Sequence, residues 1–195
     1  MCTYRYDLFV SYSHEPAVEK WVELHFRDTL YSHLSSHLPR DPKVYWDRDV
    51  ILPGEPWPQE LRDGLLYSKC LVAIWSPRYR FSKWCQIEWQ SMLQRQALLR
   101  QQGLDVNIVL PIIYSDGRYF EDEKQRTQFR DFRKFQYPYP GFRTAPRYHL
   151  FHEQMVSLAA LLADWVDAAP PWSSSWPIVE DPDIPPDPQV TLTRL

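Results

Sequence analysis

The sequence predicts a three-layer α/β fold, a small open parallel sheet of about five strands with helices on both faces. Three observations carry that expectation. Short apolar runs rich in branched and aromatic residues alternate with longer stretches of helical period. The alternation persists through nearly the whole chain, as repeated strand–helix–strand crossovers require. One run, CLVAIW at Cys70–Trp75, is apolar at every position, which marks a strand covered on both faces. The strands are too few and too short to close a barrel.

Taken in order, Tyr6–Ser11 (YDLFVS) reads as the first buried strand. Ala17–Leu38 follows, with Val18, Trp21, Val22, Leu24, Leu30, Leu34 and Leu38 at mostly helical spacing, and Pro39 and Pro42 end it. Lys43–Trp46 is a second short strand. Asp47–Pro58 is a loop carrying Pro53, Gly54, Pro56 and Pro58, and Gln59–Tyr67 is a short helix. Cys70–Trp75 is the third strand. Ser82–Gln102 is a helix with Ser82 as N-cap and Gly103 as its stop. Val106–Tyr114 is a fourth strand, and Pro111 places a bulge there or puts the strand near an edge. A fifth strand is expected near Phe132–Tyr137 and a closing helix over Arg147–Val166. The chain divides into a domain over residues 1–168 and a tail over 169–195. Seven of the 18 prolines fall in Pro170–Pro188, so the tail is either disordered or an extended strap. Trp172 and Trp176 are its candidates for packing on the domain, but ending the chain near Ala169 is expected to leave a folded unit.

Composition excludes several classes. Apolar residues make up 44% of the chain, enough for a sizeable core. No stretch approaches the roughly 20 apolar residues of a membrane span, and no secretory signal opens the chain, so a cytoplasmic protein is expected. Cys2, Cys70 and Cys85 have no metal-site spacing, and the last two read as reduced, buried thiols. A net charge of −3 argues against a nucleic-acid partner. Arg78, Arg80 and Lys83 form a basic patch sized for one anionic ligand.

With the flavodoxin-like strand order 2-1-3-4-5, a crevice opens at the carboxyl ends of strands 1 and 3, here Ser11–Pro16 and Ser76–Ser82. The helix starting at Ser82 lies on its rim. Trp84 and Glu88 are stacked i,i+4 on one face of that helix, a platform for a flat ring and a sugar, and the helix N-terminus adds a modest attraction for anions. His33 and His37, also i,i+4, lack a third ligand and read as a surface pair, so no metal is expected. Ser11, Ser13, His14 and Glu15 lack the strained turn that a hydrolase triad needs.

Three segments are recognisable together. YDLFVSYS resembles the first signature box of Toll/interleukin receptor (TIR) domains. VYWDRDVILPGEPWPQEL resembles the second, and SKWCQIEW resembles the W-C-x-x-E segment of the NAD-cleaving branch. The likeness covers about Tyr4 to Val166 and points to a stand-alone prokaryotic member. It implies hydrolysis or cyclisation of NAD at the nicotinamide–ribose bond, with Glu88 catalytic and Trp84 its aromatic partner. Phe9, Ser11, Tyr12 and Ser13 would line the ribose or phosphate side, with Asp47 and Arg78 also assigned to substrate. The loop Asp47–Pro58 corresponds to the BB loop, where Arg48, Val50, Ile51, Leu52 and Gly54 would mediate TIR–TIR self-association.

The chemistry fits these residues. Cleavage passes through an oxocarbenium-like state that one carboxylate can stabilise, and nicotinamide leaves without an acid. The chain has five glycines and no GxGxxG, so NAD would be a substrate and no cofactor is expected. The resemblance further implies an effector or signal generator in immune, anti-phage defence, working with a separate sensor or downstream protein. Two other readings stay open, a non-enzymatic assembly module acting through the BB loop and a nucleoside deoxyribosyltransferase-like activity. The carboxylate of Glu88 separates the first of these from an enzyme.

Overall fold

Leu8, Phe9 and Val10 have no exposed surface, so the first strand is covered on both faces, as its unbroken apolar run requires. The computed structural model describes residues 3–46 and 59–185. In it β1 (Tyr6–Tyr12), β2 (Val44–Trp46), β3 (Ser68–Trp75), β4 (Val109–Ile113) and β5 (Arg130–Asp131) form one sheet of order β2-β1-β3-β4-β5. Every pairing is parallel, with Phe9 opposite both Tyr45 and Leu71. This is the expected flavodoxin-like topology, and the order reverses between β1 and β3. The loop assigned to assembly, with Asp47, Arg48, Val50, Ile51, Leu52 and Gly54, lies outside the described residues.

The first crossover is a single bent helical rod with a π-turn inside it: α1 (Pro16–Trp21), the π-turn Val22–Phe26, and α2 (Arg27–His37). The extra residue of the π-turn rotates the buried face. His25 and Phe26 point inward at that place, while Leu24, expected on the apolar face, is only half-buried. Burial holds the His25 imidazole below its ordinary pKa, and its Nε2 lies 3.1 Å from the Tyr139 carbonyl. Trp21 and Phe26 then meet Phe132 and Phe151 in an aromatic cluster between α1–α2 and the closing helix α7 (Arg147–Asp167).

On the other face lie α3 (Gln59–Leu66) and α5 (Lys83–Gln101). A Cβ on Gly64 would stand 2.8 Å from the Tyr45 ring, so only glycine lets α3 come this close to β2. Gly103, at φ 83°, closes α5 with Leu104 N donating to Leu99 O, the left-handed stop that the sequence signals.

Pro111 sits inside the sheet opposite Ala73, yet it leaves no ladder bond unmade. Tyr114 N donates to Trp75 O and Phe132 N to Ile113 O, so odd-numbered residues of β4 turn toward β5. β5 begins opposite Ile112, and the imide nitrogen faces past its start. The strand expected at Phe132–Tyr137 is displaced. The β5 pairing covers Arg130–Asp131, and Arg133–Phe135 is a 3-10 turn that drops Phe135 into the core. Asp131 holds that turn by accepting from the Arg133 backbone N at 3.0 Å.

The tail, as far as residue 185, is a strap along α3 and α5. Trp172 stacks on Tyr67 at 5.1 Å, and its Nε1 donates to Leu66 O at 3.2 Å. Trp176, 8% exposed, covers the Arg95 guanidinium at 5.2 Å. Arg95 is fully buried, donating to the carbonyls of Ser68 (2.9 Å) and Leu65 (3.3 Å), and burial lowers its pKa to about 10. Val179 N then donates to Ser91 Oγ at 2.9 Å, and the Gln90 side chain makes paired bonds to the Asp183 backbone. No described helix is long and apolar enough to cross a membrane.

Candidate functional site

Two capping serines in succession build the site. Ser76 follows β3 and caps α4 (Pro77–Phe81), accepting from Tyr79 N, with Pro77 in the first turn where its missing N–H costs nothing. Ser82 ends α4 and caps α5, accepting from Cys85 N. The sequence SPRYRFS thus folds as a single helical turn between two caps. The caps set the phase of both helices. They aim Tyr79 and Glu88 at the end of β1.

There Ser11 Oγ donates to Glu88 Oε2 in a short hydrogen bond and lies 2.9 Å from Tyr79 Oη. A serine hydroxyl has one proton. With that proton committed to Glu88, the Tyr79 hydroxyl is the donor to Ser11, giving an ordered chain Tyr79–Ser11–Glu88. All three are closed off from solvent, and Glu88 has no exposed surface. Tyr79 is fixed from behind, since Gln86 Nε2 donates to its carbonyl at 3.0 Å. The Arg80–Glu123 ion pair at 2.8 Å ties α4 to α6 (Glu121–Arg126).

A second carboxylate lies nearer the surface. Glu15 Oε1 accepts from Ser13 Oγ at 2.8 Å and from Ser76 Oγ in a short bond, and the two serines are 2.8 Å apart. Ser13 and Ser76 are buried, whereas Glu15 is partly exposed. Burial pushes the Tyr114 phenol up to about 12, and the nearby Glu15 charge adds to that. Ser76 Oγ also receives Tyr79 N, so the two carboxylate clusters are linked through α4.

The other residues singled out from the sequence are placed as follows. Trp84 is half-buried one turn before Glu88, with the Lys83 ammonium 5.7 Å from its ring. Phe9 is sealed in the core, stacked on Tyr45 at 5.0 Å. Tyr12 points to the opposite sheet face, lining a groove of about 280 Å³ with His14, Glu19 and Trp46. Arg78 is exposed on α4. The structure therefore brings Ser11 and Glu88 together, and Ser13 with Glu15, but leaves Phe9, Tyr12 and Arg78 apart from them. Tyr79, Ser76 and Glu15 are additions. A Ser-Pro pair after a buried strand is the signal that could have revealed α4.

His14 Nδ1 pairs with Glu19 at 2.7 Å. His33 pairs across helices with His152 at 3.3 Å and not with His37. Among the described residues no group of three or more His, Cys, Asp or Glu side chains could hold a metal ion. Cys70 and Cys85 are buried, and burial raises the Cys70 thiol to about 12.

Comparison with known proteins gives one family. Residues 8–144 match the family profile described as TIR domain. Among solved structures, the TIR domains in the activated Roq1 resistosome directly recognizing the pathogen effector XopQ are similar. They show 19% identity and a TM-score of 0.42 over 82% of this chain and 84% of that one. No curated protein matches the chain.

Proposed function

The chain belongs to the TIR domain family, and from that premise we propose that it is an NAD glycohydrolase or cyclase whose catalytic group is Glu88. The observation that carries this reading is the Ser11–Glu88 hydrogen bond at the point where the strand order reverses, between the carboxyl ends of β1 and β3. There a single carboxylate is held rigid by a serine and, through it, by a tyrosine. Rigid, desolvated negative charge is what an oxocarbenium-like transition state rewards. As the nicotinamide–ribose bond breaks, the ribose carbon gains positive charge and the pyridinium nitrogen loses its own. Glu88 stabilises the first change, and the second makes nicotinamide a good leaving group. ADP-ribose or a cyclic isomer is the other product. Trp84, one turn earlier on the same helix face, offers the flat surface for the base. In this role the protein would act as an effector or signal generator in immune defence, anti-phage defence included. NAD is its substrate, TIR–TIR self-association its mode of assembly, and a separate protein its sensor or target.

One observation favours a second reading. Glu88 has no exposed surface, as a purely structural glutamate in an assembly module would. The two readings separate on Glu88→Gln, which keeps size and still accepts from Ser11 but removes the charge. An enzyme loses roughly 100- to 1000-fold in nicotinamide release, while its melting temperature holds, because a neutral amide is no harder to bury than a carboxylate. The assay is nicotinamide release from NAD with products identified by mass, run on dilute and on self-associated protein. Equal rates for wild type and Glu88→Gln would sink the catalytic assignment. A wild type silent in every assembled form leaves the assembly module.

A further inference from the structure

The catalytic reading uses one carboxylate, but β1 presents two. Ser11 and Ser13 are two residues apart, Ser11 within β1 and Ser13 just past its end. The first donates to Glu88 and the second to Glu15. On an extended chain that places the two serines roughly 7 Å apart. The two carboxylates differ in solvent access. Glu88 is sealed, while Glu15 is partly exposed and stands on the rim of the crevice. Two buried hydroxyls, Ser13 and Ser76, hold the Glu15 Oε1 atom. Its Oε2 receives no hydrogen bond among the described residues.

We propose that Glu15 is the acceptor-side carboxylate of the site, holding the nucleophilic water and taking its proton. This rests on the NAD-cleaving reading and extends it from the leaving group to the incoming one. The bond from ribose C1′ to the pyridinium nitrogen breaks, and its electron pair neutralises that nitrogen. The water oxygen forms the new bond to C1′, and one water proton passes to Glu15 Oε2 and thence to solvent. Glu88 faces the developing cation throughout and is not protonated. Glu15 therefore controls the partition between acceptors. Water needs a base, because it must lose a proton. A neutral pyridine needs none, because its nitrogen adds to C1′ as an aprotic nucleophile.

The alternative role is structural. Glu15 precedes α1 as its N-cap residue and ties the ends of β1 and β3 through the serines. A tie of that kind, once cut, would impair every reaction of the site alike.

The test measures two rates on the same protein: hydrolysis of NAD, and exchange of its nicotinamide for a substituted pyridine supplied at high concentration. Glu15→Gln should lower the ratio of hydrolysis to exchange by about 100-fold or more, at the low end of what a general base contributes, with exchange itself within about twofold of wild type. Glu88→Gln serves as the control and should lower both. If Glu15→Gln fails to fold, Glu15→Asp keeps the charge, withdraws it by one methylene and should move the ratio in the same direction. An unchanged ratio, or hydrolysis and exchange falling together, overturns the assignment of Glu15 while leaving Glu88 in place. Absence of both reactions from wild type overturns the reading of the site and this inference with it.

Discussion

Trp176→Ala asks whether the strap belongs to the fold. The ring is 8% exposed and covers a guanidinium that is itself fully buried. Truncating a buried tryptophan costs about 3–5 kcal/mol. Here part of that is returned, because removing the ring lets water reach Arg95, whose desolvation is the main cause of its lowered pKa. The expected loss is therefore in the lower half of the range, about 3–4 kcal/mol. For a chain of this size each kcal/mol moves the melting temperature by roughly 2–4 °C, so the shift is on the order of 6–16 °C downward. Thermal melts followed by circular dichroism measure it, with no need for activity. A Trp176→Ala variant that melts within about 2 °C of wild type would show that the strap is an accessory. Wild-type stability then returns to the domain alone, and a chain ending near Ala169 should fold unimpaired. The structure predicts the opposite for that truncation, because it would also strip Trp172 from Tyr67 and Val179 from Ser91.

Two further outcomes follow from charge and from the loop. Asp7 is buried, which alone would raise its carboxyl pKa, but hydrogen bonds from Arg40 and Lys43 N and the charge of Lys69 hold it below the ordinary value. Its folded pKa being depressed, its contribution is full above the unfolded value of about 3.9 and disappears as pH falls through the folded one. Asp7→Asn should therefore cost about 1–3 kcal/mol near neutral pH, and its gap to wild type in melting temperature should close in acid; a gap constant from neutral pH to about pH 3 would rule this out. In the apolar Val50-Ile51-Leu52 stretch, Leu52→Asp should weaken self-association by about tenfold, or ~1.4 kcal/mol, with activity lost in proportion. Light scattering beside nicotinamide release would expose the error if a dilute monomeric variant keeps its full specific activity.

The topology was legible because it rests on composition averaged over whole elements. Cys70–Trp75 has no polar residue to expose, so it had to be an interior strand, and β3 is one. The elements that escaped notice are those set by single contacts. The π-turn at Val22–Phe26 and the two-residue β5 carry no periodicity to read. The tail was ambiguous in another way, because low periodicity describes a strap and a disordered segment equally well. Only Trp172 and Trp176 hinted at the difference. The site was legible in part. Ser11 and Glu88, distant in sequence, meet in the structure. Phe9 and Tyr12 share that signature box, but strand alternation and core stacking send them elsewhere. Tyr79 and Glu15 could not be read from their neighbours in sequence, because their roles depend on where the caps Ser76 and Ser82 turn the chain.

The burial of Glu88 bears on why the charge is worth having. A carboxylate already out of water interacts with a developing cation several times more strongly than one at the surface, since the effective dielectric falls from about 80 toward 20 or less. The same burial makes it expensive to keep ionised unless donors are fixed in place, and Ser11, itself held by Tyr79, supplies one. Under the proposed function, then, the residues around Glu88 are not interchangeable packing. Ser11 sustains the charge, Tyr79 orients Ser11, and the Gln86 and Arg80 contacts keep the short α4 from carrying Tyr79 away. A substrate must still reach a group with no exposed surface, so cleavage requires some of these contacts to be exchanged for contacts with NAD. α4 itself is a five-residue turn packed against β3 and α5 and tied to α6 by the Arg80–Glu123 pair.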